Sequence, residues 1–265
     1  MPTKIDDKTF EDFGFREVVG HRNPSTPEFT ERTVVIPKMA GVWSFGHQIG
    51  TRTFEIPLKH LYNDMYKRQR FLNELVAFLF DDYGQPREFK LFFEYEPDKY
   101  YKVKISGQIN PERLIYSNTF TLTLKANDPY KHFVNTMDDI TWGSDISFMS
   151  DITFGGKEAF YEILGPQIIQ LDNQGTLSQK LSMQIVGKGQ DVKFTLGSKS
   201  FSLGSFSNTT YVIDGEKYSV YKNGVENLSA MDGDFLTMAT GNNALNISGS
   251  SLNFTLTITN HYKYK

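Results

Sequence analysis

The chain has 265 residues, of which 21 are Gly and 10 are Pro, which excludes collagen-like classes. Charged residues make up 22% and aromatic residues 14%, and the formal net charge is −3, which excludes charge-driven disorder. Cysteine is absent, which excludes disulfides, thiol nucleophiles and cysteine-based metal sites. The first residues lack the apolar stretch of a secretory signal, and the longest apolar run, Leu75 to Phe80, is too short for a membrane span, so we expect a soluble, mainly β protein.

One helix is predicted in the first half of the chain, over residues 64–80. Asp64 can cap its N-terminus, and Gly84 supplies the flexible backbone that suits its exit. Helical spacing relates the apolar residues Met65, Leu72, Leu75, Val76 and Leu79. Because three phenylalanines (Phe71, Phe78 and Phe80) widen this stripe, we expect the helix to lie across a sheet.

Amphipathic strands follow the helix. Alternation in EFKLFFEY, YYKVKISG and TFTLTLKA places their aromatic and aliphatic residues on one face and their charged residues on the other. The tetrapeptide Glu96-Pro97-Asp98-Lys99 is predicted to form the turn between the first two, because proline presets a turn conformation. The first half is therefore predicted as a β domain with one helix, covering residues 1–138.

Residues 139–156 repeat a six-residue unit three times, as DITWGS, DISFMS and DITFGG. Three copies are too few for a solenoid, and Asp139, Asp145 and Asp151 lack the other ligands of a calcium loop. We interpret residues 139–162 as a connector between two domains. From residue 163 to 265 the pattern predicts seven or more short strands, with Asn223-Gly224 as a hairpin turn, which is typical of a β-sandwich.

The sequence lacks the common catalytic motifs. There is no G-x-S-x-G motif, the five histidines have no metal-ligand spacing, and Gly187-Lys188-Gly189-Gln190 is better interpreted as a β-bulge or hairpin than as a phosphate loop. Paired carboxylates at 81–82, 138–139, 214–216 and 232–234 keep a glycoside hydrolase open as an alternative, although all lie where turns are expected. We expect no enzyme activity, no cofactor and no metal.

All eight arginines lie in the first half of the chain. Arginine is favoured at protein interfaces and in nucleic-acid readout, so the first half is the better candidate for an assembly surface and the second half an unlikely reader of nucleic acid. A glycan-binding module acting through the C-terminal sandwich stays open as an alternative function. Its candidate platforms are Tyr211, Tyr218, Tyr221, Tyr262 and Tyr264.

The order of several segments resembles the distal tail (Dit) proteins of siphophages that infect Gram-positive bacteria. The segment from Glu31 to Leu58 contains most of that family's Arg-x-Val-x-Ile-Pro-Gly pattern, with Lys38 in place of the glycine. Asp128-Pro129-Tyr130 matches the end of a family strand, and VIDGEKYSVYKNG and GDFLTMATGNNALNISG resemble parts of the family's C-terminal domain. The resemblance covers nearly the whole chain and is weakest in the repeats.

The resemblance implies a structural protein of the virion tail tip, assembled in the host cytoplasm. It implies a hexameric ring, single or paired, that joins the tail tube protein to the tail-associated protein and supports receptor-binding components. Residues 1–138 then form the ring, and residues 163–265 form a galectin-like sandwich that projects outward. Neither membrane insertion nor sequence-specific contact with nucleic acid is expected.

A head-to-tail ring uses two different patches on each subunit. Arg32, Trp43, Phe45 and Arg52 lie in a segment where large apolar and charged residues alternate, and we predict them as one such patch. The alternative is that Trp43 and Phe45 belong to the core of the N-terminal barrel.

Overall fold

The computed structural model describes residues 3–111, 119–133, 159–259 and 261–265. The chain divides into two compact units, Met1–His132 and Phe133–Lys265. Both are built mainly from antiparallel strands, which confirms the predicted fold class. The three repeats, and with them Asp139, Asp145 and Asp151, lie outside the described residues. No helix in the described ranges is long and apolar enough to cross a membrane.

The first unit contains an antiparallel sheet, one α-helix and a separate hairpin. Along the chain, its strands are β1 (Thr3–Ile5), β2 (Lys8–Thr9), β3 (Phe15–Glu17), β4 (Phe29–Val34), β5 (Trp43–Ile49), β6 (Arg52–His60), β7 (Phe89–Phe93), β8 (Glu96–Ile105) and β9 (Thr119–Ala126), with β10 (Lys131–Phe133) at the boundary. A 3-10 turn covers Glu11–Phe13, and helix α1 covers Met65–Leu79. The sheet order is β2-β1-β7-β8-β9-β6-β3, while β4 pairs only with β5.

Helix α1 covers the predicted segment. Asp64 caps it, because its Oδ1 accepts the backbone N–H of Tyr66 at 2.8 Å. Its buried residues are Leu72, Leu75 and Leu79, which pack in the same core as the inward side chains of the sheet. The predicted apolar face is wider than the real one: Met65, on the first turn, is 74% exposed, and Val76, at the margin of the stripe, is 38% exposed.

Two details of the first unit correct the sequence prediction. The helix ends at Leu79, because Phe80 is already extended, and Gly84 lies in a later turn. The predicted turn at Glu96–Lys99 is wrong, since β8 begins at Glu96 and the hairpin turns at Glu94 and Tyr95. Phe93 pairs with Glu96 but Phe92 pairs with Tyr100, so Pro97 lies in a bulge, where its missing N–H breaks no ladder bond.

The second unit contains three long strands with short strands around them. Along the chain, its strands are β11 (Ala159–Ile163), β12 (Gln167–Asn173), β13 (Gln179–Lys180), β14 (Ser182–Leu196), β15 (Lys199–Asp214), β16 (Ser219–Lys222), β17 (Val225–Glu226), β18 (Asp232–Gly233), β19 (Thr237–Met238), β20 (Gly241–Thr259) and β21 (Lys263–Tyr264). A 3-10 turn covers Leu228–Ala230. The main sheet has the order β11-β20-β14-β15-β16-β17, with β12 also paired to β20 and β18 to β15.

Three strands of this unit are longer than the predicted short strands, because bulges continue the strand where the sequence favours a turn. The segments SFSL and TYVI, predicted as separate strands, are parts of one strand, β15, and NALNIS and SLNFTLTIT are parts of β20. The register of β14 shifts between Gly187 and Val192, which confirms a bulge at Gly187-Lys188-Gly189-Gln190. A Cβ on Gly187 would lie 2.4 Å from the Asn253 carbonyl oxygen, so the bend needs glycine.

Candidate assembly interface

The hairpin of β4 and β5 stands apart from the rest of the first unit. Every residue of both strands is exposed, whereas the strands of the main sheet alternate between buried and exposed positions. A two-stranded hairpin alone is marginally stable in water, so its side chains need a further surface to pack against.

The two strands carry apolar residues on both faces of the hairpin. In the antiparallel register Phe29 lies opposite Ile49, and Val34 opposite Trp43. Phe45 shares the face of Trp43 because it lies two residues further along β5. The register shifts between Glu31 and Thr33, where β5 has one residue more than β4, so β4 keeps its alternation and its Phe29 and Val34, five residues apart, lie on opposite faces. The face of Val34, Trp43 and Phe45 is the apolar face of the hairpin.

This apolar face is uncovered in the described part of the chain. Trp43 is 53% exposed and Phe45 69% exposed. Val34, on the same face, and Phe29 and Ile49, on the opposite face, are each at least half exposed as well. A contiguous exposed patch of large apolar side chains marks an interaction site on a soluble protein. The hairpin is therefore the leading candidate for an assembly surface.

The loop at the tip of the hairpin is an ordered turn. The N–H of Met39 donates to the carbonyl of Ile36 at 3.1 Å, with Pro37 and Lys38 as the central residues. Lys38 has φ +69°, which is the conformation that the third position of a type II turn requires. The indole N–H of Trp43 points at the sulfur of Met39, 3.0 Å away. The tip and the apolar face are thus linked.

The four predicted interface residues occupy different environments. Trp43 and Phe45 lie together on the apolar face, so the alternative that they are core residues is wrong. Arg32 is exposed and donates to Gln48 Oε1 at 2.8 Å. It lies two residues before Val34 in β4, and therefore on the same face as Trp43. Arg52 is only 2% exposed, because it is the first residue of β6 and its side chain enters the unit. The structure therefore groups three of the four on the hairpin.

Sequence reasoning missed the apolar residues of the first hairpin strand and of its far end. Val34 completes the apolar face with Trp43 and Phe45, and Phe29 and Ile49 form a second exposed apolar pair on the opposite face. Apolar residues at both ends of FTERTV were the available signal, but they are five residues apart, so alternation alone does not group them in one patch.

The second unit offers less support for glycan binding than its tyrosine content indicates. Tyr211, Tyr262 and Tyr264 are buried. Tyr218 is exposed, but the ammonium of Lys180 lies 5.3 Å from the centre of its ring, close to where a sugar would stack.

Two of the carboxylate pairs contain an aspartate that accepts hydrogen bonds within its own turn. Asp81 accepts the N–H groups of Tyr83 and Gln85, and Asp214 accepts those of Glu216 and Lys217. Within the described ranges, no three histidine, aspartate or glutamate residues are grouped as a metal site would require.

Comparison with known proteins finds a family match within the first unit. Residues 8–126 match the family described as the phage tail protein RIFT-related domain. This range includes the whole hairpin and helix α1. A search of curated proteins finds no match.

Among solved structures, the chain is similar to the Dit protein of phage SPP1, described as a paradigm of the hub adsorption apparatus in phages that infect Gram-positive hosts. The TM-score is 0.71 at 13% identity, covering 98% of both chains. Two structures of the phage p2 baseplate in its activated conformation, with Sr and with Ca, also match. Their TM-scores are 0.44 and 0.43 at 12% and 13% identity, and the matches cover 98% and 100% of this chain and 97% and 98% of theirs.

Proposed function

We propose that this chain is a distal tail (Dit) protein of a phage and that six copies of it close into a ring at the tail tip. The ring, single or paired, joins the tail tube protein to the tail-associated protein. Its second unit supports the components that attach to the host. The protein acts as a structural hub and not as an enzyme.

The exposed apolar face of the hairpin carries this proposal. A closed ring with one kind of subunit needs a patch on each copy that fits a different patch on the next. The main core of the first unit is complete without the hairpin, since Phe54, Leu91 and Leu122 are fully buried in it while Trp43 and Phe45 are not. The hairpin therefore supplies one patch, and the body of the neighbouring copy supplies the other.

The first test is the solution mass of the purified chain, measured by light scattering over a range of concentrations. We expect a species at six times the 30.4 kDa chain mass, or twelve times for paired rings. The double variant Trp43→Ser/Phe45→Ser removes the apolar face, and we expect it to stay monomeric with unchanged thermal unfolding. This follows because both side chains are exposed in the single chain.

Tyr83→Ser is the matched control, because Tyr83 is 90% exposed but lies in a turn outside the hairpin. We expect this variant to assemble like the wild type. A wild type that remains monomeric at high concentration contradicts self-closure of the ring. A double variant that assembles normally contradicts the role of the hairpin.

A further inference from the structure

A buried cation lies at the base of the hairpin. The guanidinium of Arg52, a positively charged group, is shielded from solvent. Its Nη1 donates to the hydroxyl of Tyr101, and its central carbon lies 5.1 Å from the centre of the Tyr101 ring. Its Nε and Nη2 have no hydrogen-bond partner within the described ranges.

The charge of this guanidinium is not balanced by its neighbours. Burial raises the pKa of Tyr101 to about 12, so its phenol is neutral and cannot act as the counter-ion. No described carboxylate lies within ion-pair distance of Arg52. A buried charge without a partner is strongly destabilising, and such a residue normally has a carboxylate or phosphate beside it. Within the described residues the environment of Arg52 is therefore incomplete.

Arg52 also lines a cleft of about 420 Å³ that is bordered by both ends of the hairpin. Glu28 and Phe29 line it from the start of the hairpin, and Thr51 and Arg52 line it from the end. Phe29 is the first residue of β4, so the cleft lies at the base of the element that the proposed ring contact uses. Because Nε and Nη2 of Arg52 are buried in the single chain, binding at this edge requires the base of the hairpin to shift.

We propose that the cleft is a carboxylate-binding site, in which Arg52 binds an acidic side chain of a second copy of this chain. The inference rests on the proposed ring. The free Nε and Nη2 form the edge of the guanidinium that binds a carboxylate through two parallel hydrogen bonds. A neighbour that docks on the apolar face excludes water from the adjoining cleft and brings its carboxylate to this edge. The ring contact thus neutralises a charge that the single chain leaves unpaired.

The test uses Arg52→Met in the full chain and reads stability and assembly separately. Removing an unpaired buried charge is expected to leave the unfolding temperature of the monomer unchanged or higher. Loss of the carboxylate contact is expected to raise the concentration needed for assembly by at least about tenfold. Arg22→Met is the matched control, because Arg22 is an exposed arginine of the same unit, paired with Glu55 at 3.6 Å. We expect it to assemble like the wild type.

Arg52→Lys serves as a second variant if Arg52→Met fails to fold. Lysine keeps the positive charge but cannot donate two parallel hydrogen bonds to one carboxylate. It is expected to fold and to assemble more weakly than the wild type. If both Arg52 variants assemble like the wild type, the carboxylate contact is wrong while the ring stands. A wild type that never assembles instead contradicts the ring itself.

A last arm distinguishes a neighbouring copy from a free anion. Sodium acetate and sodium phosphate are each added at constant ionic strength, and thermal unfolding is followed for the wild type and Arg52→Met. If either anion stabilises only the wild type while Arg52→Met assembles normally, the site takes an anion from solution and the second-copy source is wrong.

Discussion

At the scale of single residues, Lys38 shows how one turn position accommodates an unusual side chain. The sequence pattern that the segment from Glu31 to Leu58 resembles has glycine at this position. The residue has φ +69° at the third position of the turn that begins at Ile36, a conformation that glycine adopts without strain. The lysine keeps the same turn at a cost in backbone strain.

We therefore expect Lys38→Gly to stabilise the hairpin tip slightly, by about 1 kcal/mol. The measurement is amide hydrogen exchange of Met39, whose N–H closes the turn onto Ile36. Slower exchange of this amide in the variant is the expected result. Lys59→Gly, at an exposed position in β6 where φ is not positive, is the control and should destabilise. Faster exchange at Met39 in Lys38→Gly would show that backbone strain at Lys38 does not weaken the turn.

At the scale of elements, helix α1 combines a strong local signal with a face set by the sheet. Asp64 accepts the N–H groups of Tyr66 and Lys67 at 2.8 and 3.4 Å, as an N-cap does. Leu75 and Leu79 are fully buried, whereas Met65 is exposed although it is equally apolar. The N-cap and the spacing of the apolar residues can be predicted from the local sequence. The width of the buried face depends on the part of the sheet against which the helix packs.

Replacement of the cap by Asp64→Ala is expected to lower the free energy of unfolding of the first unit by about 1 kcal/mol, because two helix N–H groups lose their acceptor. Chemical denaturation followed by circular dichroism measures the change. Asp82→Ala, at an exposed aspartate beyond the helix, removes the same charge and is expected to change stability little. Equal effects of the two variants would mean that Asp64 acts only through its charge.

At the scale of the whole molecule, the first unit separates a part that folds from a part that binds. The N–H of Gly50 donates to the carbonyl of Glu28 at 2.7 Å, so the hairpin leaves and rejoins the unit at a single point. None of its residues belongs to the buried core. The arginines, all in the first half, are divided in the same way: Arg32 lies on the projecting hairpin and Arg52 within the body.

Replacing residues 29–49 by Asn-Gly is therefore expected to leave a folded monomer. In the variant, Glu28, Asn, Gly and Gly50 are four consecutive residues. The existing hydrogen bond from the N–H of Gly50 to the carbonyl of Glu28 then closes a β-turn, and Asn-Gly is favoured at its two central positions. We expect the unfolding temperature to change by less than about 4 °C, and the mass to be that of one chain at every concentration. A deletion variant that no longer unfolds cooperatively would show that the hairpin is needed for folding.

Some properties of this protein could be predicted from the sequence alone because they are local. The helix with its Asp64 cap, the alternation around Val103 and Leu122, and the Asn223-Gly224 hairpin depend on neighbours within a few residues. The family resemblance likewise depends on the order of short segments. Only the tertiary structure decided whether Trp43 and Arg52 are exposed or buried, because burial depends on strands distant in the chain. The same holds for Gly187, where a bulge and a turn have similar sequences and only the pairing partners distinguish them.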